Sequence, residues 1–310
     1  PPHPQRSPPP TSTPAPPAPQ PPPHPHRCPL PQWHRLSPHL DHDRRDQGGD
    51  RRRAGELNRS MLIDTHCHLF MEPLVRDVPA VLSRAHQTGV TQVVVPAYDS
   101  ASWAMVRNLT QHEGVHSALG LHPWAAHETL DLAALRDALA ATKAVAIGEI
   151  GLDFKIPEPG RSRQIHTLTA QLRLALELDL PVILHCRGAF EEMLQIIGDD
   201  SPGLRGVLHA YSRGPELAQR FVDLGLSVAF GGAITRPRAK RAQRSAAILP
   251  SETILLETDA PSIGLEGVQP EQTEPRHVAQ VARMLADIRG TTLAEIASVT
   301  TRNAQQLFGI

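Results

Sequence analysis

The feature that most constrains the fold of this chain is a regular alternation between two kinds of segment. Short apolar runs rich in β-branched residues, the pattern of buried strands, alternate with longer segments whose apolar residues recur every three or four positions. The alternation begins directly after Met61, the first methionine. We predict strands at 62–65, 92–96, 116–120, 144–148, 182–185, 206–209, 226–230 and 253–257. We predict helices at 73–87, 101–111, 130–142, 161–178, 190–197, 215–224 and 236–248, and a helical region at 275–307 that is broken near Gly290.

This α/β pattern predicts a single (β/α)8 TIM barrel over residues 61–310. Eight units close such a barrel, and about 250 residues is its usual length. An open, doubly wound sheet is the alternative. That fold has a glycine-rich phosphate loop after its first strand, whereas this chain has His66-Cys67-His68 there. The barrel is therefore the favoured fold.

Residues 1–60 differ in character from the rest of the chain. They hold 17 of the 31 prolines and few aliphatic residues, a composition that cannot bury a core and predicts a disordered Pro/Arg-rich extension. A polyproline ligand for a partner domain and a basic tether are two functional interpretations. Because the foldable pattern starts at Met61, we favour upstream sequence or a dispensable tail, and we expect activity to survive its deletion.

Charge and cysteine usage limit the classes of function. Residues 1–60 contain 9 of the 31 Lys and Arg and 5 of the 32 Asp and Glu, which leaves residues 61–310 with a net charge of −5. This balance argues against a large footprint on duplex nucleic acid but allows a small metal-centred contact with phosphate.

Three cysteines give no disulfide framework and indicate a reducing compartment. With no apolar run of about 18 residues and no secretory h-region, we expect a cytoplasmic protein without a membrane partner.

Polar residues collect where the predicted strands end, which is where TIM barrels place their active sites. These residues are His66 and His68 after the first strand, His122 after the third, Glu149 after the fourth, His185 and Arg187 after the fifth, His209 after the sixth and Asp259 after the eighth. Taken singly, a histidine at a strand end such as His209 is more often a hydrogen-bonded structural residue than a ligand, and Asp259 is also typical of a turn. Six of these residues are the ligand candidates, namely His66, His68, Glu149, His185, His209 and Asp259, and four imidazoles with two carboxylates at five strand ends together predict a binuclear metal site.

The residues that alternate with these ligand candidates are assigned structural roles. Cys67 and Cys186 should point outward, toward the helices, as small core residues. Asp64 shares a face with His66 and His68 in an extended strand, so we expect it to support the ligands rather than bind metal.

Five segments carry a family resemblance. They are Ile-Asp-Thr-His-Cys-His-Leu at 63–69, Gly-Leu-His-Pro at 120–123, Ile-Gly-Glu-Ile-Gly-Leu-Asp at 147–153, Leu-Pro-Val-Ile-Leu-His at 180–185 and Glu-Thr-Asp-Ala-Pro at 257–261. In this order they resemble the TatD family of metal-dependent deoxyribonucleases, and the end of the chain, Thr301-Arg302-Asn303 to Leu307-Phe308, is also similar. The resemblance covers residues 61–310 and none of 1–60.

The resemblance implies a partition of ligands that spacing alone does not assign. It implies two divalent metal ions (Zn, Mg or Mn), one held by His66, His68 and Asp259, the other by His185 and His209, with Glu149 bridging them. His122 and Arg187 match positions near the substrate phosphate. Asp259 is our predicted general base, and Glu149 is the second predicted catalytic residue. The implied activity is a DNase, a 3′–5′ exonuclease acting on a DNA 3′ end or single strand, without an obligate protein partner.

Two alternatives remain open from the sequence. One is an amidohydrolase-type enzyme that cleaves an amide, ester or lactone with the same metal site. That wider group often carries a carbamylated lysine at the end of the fourth strand, where this chain has Glu149. The other is a non-catalytic protein that keeps the barrel for binding, which the full set of ligand candidates disfavours.

Overall fold

Residues 61–310 are the part of the chain that the computed structural model describes, and they contain eight parallel strands in one sheet. The strands are β1 (Leu62–Asp64), β2 (Val90–Pro96), β3 (Val115–Leu119), β4 (Ala146–Asp153), β5 (Val182–Arg187), β6 (Gly206–Leu208), β7 (Leu226–Phe230) and β8 (Ile254–Leu256). Each strand pairs with the next in chain order. This is the order of a (β/α)8 barrel, and it excludes the doubly wound sheet, in which the order reverses.

The barrel closes between its first and last strands through backbone hydrogen bonds. Just beyond the ends of β1 and β8, the N–H of Asp259 donates to the carbonyl of His66 (2.8 Å), and the N–H of His68 donates to the carbonyl of Ala260 (2.8 Å). These two bonds hold the segment after β1 beside the segment after β8, so both lie at the carboxyl end of the barrel.

Nine α-helices surround the strands in the described part of the chain. They are α1 (Val78–Gln87), α2 (Ser100–Leu109), α3 (Leu132–Thr142), α4 (Arg161–Leu178), α5 (Phe190–Asp200), α6 (Pro215–Asp223), α7 (Lys240–Ile248), α8 (Val278–Arg289) and α9 (Leu293–Phe308). Asp77, Asp99 and Asp131 cap α1, α2 and α3 by accepting a hydrogen bond from a first-turn N–H. Gly290 ends α8 in the left-handed conformation, where the sequence predicts the break.

The barrel interior is built in layers. One apolar residue from each strand forms the lower layer: Ile63, Val94, Ala118, Ala146, Ile183, Val207, Ala229 and Leu255. Ala304 and Phe308 of α9 pack against this layer, and Asn303 donates to the carbonyls of Ser251 and Ile254 at the start of β8. α9 therefore closes the amino-terminal end of the barrel.

The next interior layer consists mainly of polar side chains and glycines. Two positions beyond the apolar layer lie His185, His209 and Glu257, together with glycines such as Gly148. A Cβ on Gly148 would lie 2.7 Å from the Cβ of Ile183, so only glycine fits there. This layer lies at the carboxyl ends of the strands and holds the candidate site.

The fold predicted from the sequence is confirmed, with shifted boundaries. The predicted bounds of β7 and α4 match the observed ones at both ends, whereas β4 continues to Asp153 and β1 stops at Asp64. The predicted extension at 1–60 lies outside the described residues. No helix within residues 61–310 combines the length and hydropathy required to cross a membrane.

Candidate active site

The carboxylate of Glu149 lies at the centre of the site. It projects from β4 and is 3% exposed. Its Oε1 lies 2.9 Å from His209 Nε2, 3.1 Å from His185 Nδ1 and 3.3 Å from His122 Nε2. His185 Nδ1 also lies 3.2 Å from His209 Nε2. The ends of β3, β5 and β6 thus bring three imidazoles to one oxygen of Glu149.

The other oxygen of Glu149 faces the histidine pair that follows β1. Oε2 lies 3.3 Å from His66 Nε2 and 3.5 Å from His68 Nε2, and these two nitrogens are 3.2 Å apart. Asp259 Oδ1 lies 3.4 Å from His68 Nε2 and 3.7 Å from His66 Nε2. His66, His68 and Asp259 therefore form a second group of potential ligands, and Glu149 lies between the two groups.

Hydrogen bonds on the far side of two rings determine which nitrogen carries the proton. His68 Nδ1 lies 3.2 Å from the carbonyl of Pro96, which can only accept, so Nδ1 carries the hydrogen and Nε2 presents a lone pair to the carboxylates. His122 has the opposite arrangement, because the N–H of Trp124 donates to its Nδ1 (3.2 Å). In neutral His122, Nε2 therefore carries the hydrogen. His68 has the tautomer of a metal ligand, and His122 that of a hydrogen-bond donor.

The electrostatics of the site favour ionised carboxylates, and the rings differ in protonation. Although burial opposes it, neighbouring carboxylates raise the pKa values of His68, His185 and His209. Burial lowers the pKa of His66 and of His122 to about 4. Burial opposes ionisation of Glu149, but the surrounding imidazoles, His209 first, hold its pKa well below the ordinary value. Burial likewise opposes ionisation of Asp259, but His68, whose Nε2 lies 3.4 Å from Oδ1, together with His66 and His209, holds the pKa of Asp259 below the ordinary value. Within residues 61–310, no Lys or Arg pairs with either carboxylate.

The donor set fits divalent metal ions. Imidazole nitrogens and carboxylate oxygens are the ligands that Zn²⁺ takes in hydrolases, and carboxylates also suit Mg²⁺ and Mn²⁺. In its neutral form, His68 presents the lone pair of Nε2 to the ionised carboxylates of Glu149 (3.5 Å) and Asp259 (3.4 Å), a contact between acceptors that a cation at this position would satisfy. Although burial opposes it, Glu149 raises the pKa of His209 to about 10, so a cation bound there displaces a proton.

Asp153, at the end of β4, supports the second group of ligands. Its buried carboxylate accepts hydrogen bonds from the indole Nε1 of Trp124 (2.7 Å) and the N–H of Lys155 (2.9 Å), and it pairs with Arg187 Nε (2.9 Å). Asp153 Oδ2 lies 3.6 Å from His185 Nε2. Burial opposes ionisation, yet these contacts lower the pKa of Asp153. Asp153 thus orients both His185 and Arg187.

Two buried glutamines of α4 hold the backbone of the site. Gln171 accepts from the N–H of Leu121 (2.8 Å) and donates to its carbonyl (3.1 Å), one residue before His122. Gln164 does the same for Asp153, at 2.8 and 3.0 Å. The two glutamines lie seven residues apart and so share one face of α4. They fix the loops that carry His122 and Asp153.

Two further buried carboxylates lie behind the ligands. Asp64 accepts from the hydroxyl (2.6 Å) and the N–H (2.9 Å) of Thr258, and from the N–H of His66, so it ties β1 to β8. Glu257 accepts from the N–H of Ala210 (2.6 Å), and its Oε1 lies 3.9 Å from His209 Nδ1. Burial raises the pKa of Asp64 to about 7 and that of Glu257 to about 8.

The structure brings all six predicted metal ligands together around Glu149. His122, predicted near the substrate phosphate, also lies within hydrogen-bonding distance of Glu149, whereas Arg187 is held at the rim by Asp153 with its side chain 39% exposed. Cys67 is fully buried in the core between strands and helices, and Cys186 packs against that core. Neither is among the groups of residues that could hold a metal.

Sequence reasoning missed the supporting residues Asp153, Glu257, Gln164 and Gln171. Asp153 lies in the segment 147–153, which resembles the TatD family, but beyond the predicted end of the fourth strand at residue 148. The glutamines could have been found as polar residues on the apolar face of a predicted helix. Nothing in the local pattern separates Glu257 from an ordinary residue at the end of a strand.

Comparisons with known proteins agree with this geometry. The family model described as TatD related DNase matches residues 63–309. The uncharacterized metal-dependent hydrolase YjjV of Escherichia coli K12 is 39% identical over 253 residues, which cover 80% of this chain and 98% of the relative. The 3′-5′ ssDNA/RNA exonuclease TatD of Pantoea ananatis is 32% identical and covers 80% of this chain and all of its own length.

The fold has a solved counterpart. The crystal structure of YjjV, a TatD homologue from Escherichia coli K12, aligns with a TM-score of 0.77 at 38% identity, over 80% of this chain and 98% of that structure. The matched family model, the two relatives and this structure lead to one conclusion: the chain belongs to the TatD family of metal-dependent hydrolases.

Proposed function

We propose that this protein is a metal-dependent phosphodiester hydrolase acting on DNA, with 3′–5′ exonuclease activity on a 3′ end or single strand. The observation that carries the proposal is the position of Glu149, whose two oxygens face two separate groups of imidazoles, as a carboxylate bridging two cations requires. The substrate class is supported by the name of the Pantoea ananatis relative, a ssDNA/RNA exonuclease.

Each predicted ligand has a role in this proposal. His66, His68 and Asp259 would hold one divalent ion, His185 and His209 would hold the other, and Glu149 would be shared between the two. Zn, Mg or Mn at these positions would supply Lewis-acid chemistry, which lowers the pKa of an attacking water and offsets phosphoryl charge.

The remaining steps fall to groups of the protein. Asp259, ionised because its pKa is lowered, accepts the proton of the attacking water. His122 donates its Nε2 hydrogen to a non-bridging phosphate oxygen. The N–H of Trp124 enforces this tautomer, because it donates to the Nδ1 of His122. Arg187 pairs with Asp153 through Nε. Its two terminal nitrogens can then bind phosphate through a pair of charge-assisted hydrogen bonds.

The test uses the full chain, freed of metal by a chelator and reconstituted with Zn²⁺, Mg²⁺ or Mn²⁺. Its substrate is single-stranded DNA labelled at the 3′ end, assayed beside a panel of amides, esters and lactones. We expect metal-dependent release of mononucleotides from the 3′ end. Cleavage of the panel with no cleavage of DNA under any metal would replace this proposal by the amidohydrolase alternative.

A pair of variants separates the site from general effects of charge. Glu149→Gln removes the bridging charge and should lower the rate by at least about 100-fold, in the range seen for groups that stabilise transition-state charge. Glu113→Gln removes an exposed carboxylate that pairs with no cation of residues 61–310, and it should leave the rate unchanged. Equal rates for the two variants would contradict the role of Glu149.

A further inference from the structure

The segment that follows β7 is strongly basic on an otherwise acidic barrel. Residues 224–251 contain no Asp or Glu but five cationic side chains, Arg236, Arg238, Lys240, Arg241 and Arg244, here called the β7–α7 basic surface. All of them except Arg236 are exposed. Within residues 61–310, none of the five forms an ion pair with a carboxylate. Their charge is therefore available to a ligand.

The β7–α7 basic surface begins at the mouth of the candidate site. β7 runs parallel to the other strands and ends at Phe230, whose carbonyl accepts from the N–H of Glu257 (3.2 Å). Arg236 then donates to the carbonyl of Gly264 (2.8 Å), in the loop that follows Asp259. The loop after β7 and the loop after β8 are thus joined at the carboxyl end of the barrel, beside the ligands.

Hydrogen bonds also fix α7 to this loop. Gln243 of α7 donates to the carbonyls of Ile234 (3.0 Å) and Arg236 (3.2 Å). At the other end of α7, Arg289 donates to the carbonyls of Ala246 and Leu249. The first turns of α7, which carry Lys240, Arg241 and Arg244, are therefore held at the site end of the barrel.

The stability of α7 does not account for these charges. Lys240 and Arg241 occupy its first turn, where the helix dipole disfavours cations. Arg244 lies four and three residues after them, at the spacings that place like charges side by side on a helix. By contrast, α5 has the acidic residues Glu191 and Glu192 in its first turn. Positive charge at this place is unfavourable for the isolated fold and favourable for binding an anion.

We propose that the β7–α7 basic surface binds the phosphate backbone of a single-stranded nucleic acid and guides its 3′ end to the site. This inference rests on the proposed function. A single strand is the form that fits, because the candidate ligands are recessed and nearly fully buried, and Glu149 is 3% and Asp259 6% exposed. The exposed cations lie on the loop after β7 and on the first turns of α7, which begin at the carboxyl end of the barrel where this recess opens.

The test measures binding separately from hydrolysis. A 5′-fluorescein-labelled oligothymidylate is titrated with the full-length protein in the presence of a chelator, and anisotropy gives the dissociation constant across a range of salt concentrations. In the variant Arg238→Gln, Lys240→Gln, Arg241→Gln, the slope of log affinity against log salt should fall by about 2, since each phosphate contact on a single strand contributes about 0.7. Affinity at low salt should fall at least about tenfold.

A matched control removes the same charge elsewhere. Arg107→Gln, Arg173→Gln, Arg302→Gln removes three exposed cations of α2, α4 and α9 and should leave the slope unchanged. Arg238→Lys, Arg241→Lys keeps the charge and should keep the slope. Residues 1–60 are present in every variant and contribute equally. An unchanged slope in the first variant, or an equal loss in the control, would overturn the proposal.

Hydrolysis then distinguishes this proposal from the proposed function. With metal present, the variant Arg238→Gln, Lys240→Gln, Arg241→Gln should hydrolyse bis(p-nitrophenyl) phosphate at the wild-type rate. At a low concentration of oligothymidylate, it should degrade this substrate at least about tenfold more slowly than the wild type does. If the wild type cleaves the oligothymidylate and the variant does so equally well, only the surface is refuted. If the wild type cleaves neither substrate, the proposed function fails. Charge-dependent binding to phosphatidylserine vesicles, without any effect on the oligothymidylate, would also overturn the assignment.

Discussion

Asp153→Asn tests how far the second group of ligands depends on one supporting carboxylate. The substitution keeps the size of the side chain but removes its charge and turns one acceptor oxygen into an NH2 group. In the wild type the two oxygens serve Trp124 Nε1 (2.7 Å), Lys155 N (2.9 Å) and Arg187 Nε (2.9 Å). An asparagine must direct its NH2 group at one of these donors, so at least one hydrogen bond is lost.

The expected loss of stability follows from those contacts. A hydrogen bond to a charged group contributes about 1.5–3 kcal/mol, and the exposure of Arg187 places this pair toward the lower end. We expect the free energy of unfolding to fall by about 2 kcal/mol, measured by urea denaturation. We also expect Zn²⁺ to bind about 10- to 100-fold more weakly, measured by a chelator-competition titration, since outer partners of metal ligands typically contribute that much affinity.

A control and a refuting result complete this experiment. Asp131→Asn changes the exposed N-cap of α3, where asparagine caps about as well as aspartate, and should alter neither quantity. If Asp153→Asn unfolds at the wild-type urea concentration and binds zinc with wild-type affinity, Asp153 does not position His185 and Arg187.

Three more predictions concern the site and its scaffold. Asp259→Asn should leave the thermal midpoint nearly unchanged but slow DNA hydrolysis by about 100-fold or more, as for loss of a general base; near-normal turnover would remove Asp259 from that role. Removing metal with a chelator should lower the thermal midpoint and re-adding Zn²⁺ should restore it, because ions that bind only the folded state stabilise it; a midpoint that chelator does not move would argue against a bound ion. Gly120→Ala should destabilise the protein by about 1–3 kcal/mol, since its Cβ would lie 2.7 Å from Ile150 Cγ2, whereas Gly198→Ala in α5 meets nothing closer than 3.8 Å and should stabilise it by up to about 1 kcal/mol; a Gly120→Ala variant as stable as the wild type would show that the barrel wall yields to an added methyl group.

The sequence predicts the barrel well because its information is local and repeated. Each strand is a short apolar run and each helix has an apolar face, so β7 and α4 are located at both ends without any tertiary knowledge. The ligand candidates follow from the same source, since their positions at strand ends place them at one end of a barrel. Chain order and residue type were therefore sufficient to predict where His66, Glu149 and Asp259 meet.

What the sequence did not predict depends on contacts between distant segments. β4 continues past Gly148 because its end pairs with β5, as in Asp153 opposite Arg187. The tautomer of His122 depends on the backbone N–H of Trp124, and the anchoring of Leu121 depends on Gln171, 50 residues away. Such partners are fixed by packing, and no local pattern specifies them.

The packing of α9 against the apolar layer has a consequence for synthesis of the chain. The hydroxyl of Thr301 bonds the carbonyl of Met61, 240 positions earlier, and Phe308 covers a layer that includes Ile63. Because α9 follows all eight strands in the chain, it leaves the ribosome after them, and the apolar residues of β1 stay accessible to chaperones until then. A product truncated before α9 would keep all six candidate metal ligands but lack the helix that covers the apolar layer. We therefore expect such a product to be degraded rather than to persist as a weaker enzyme.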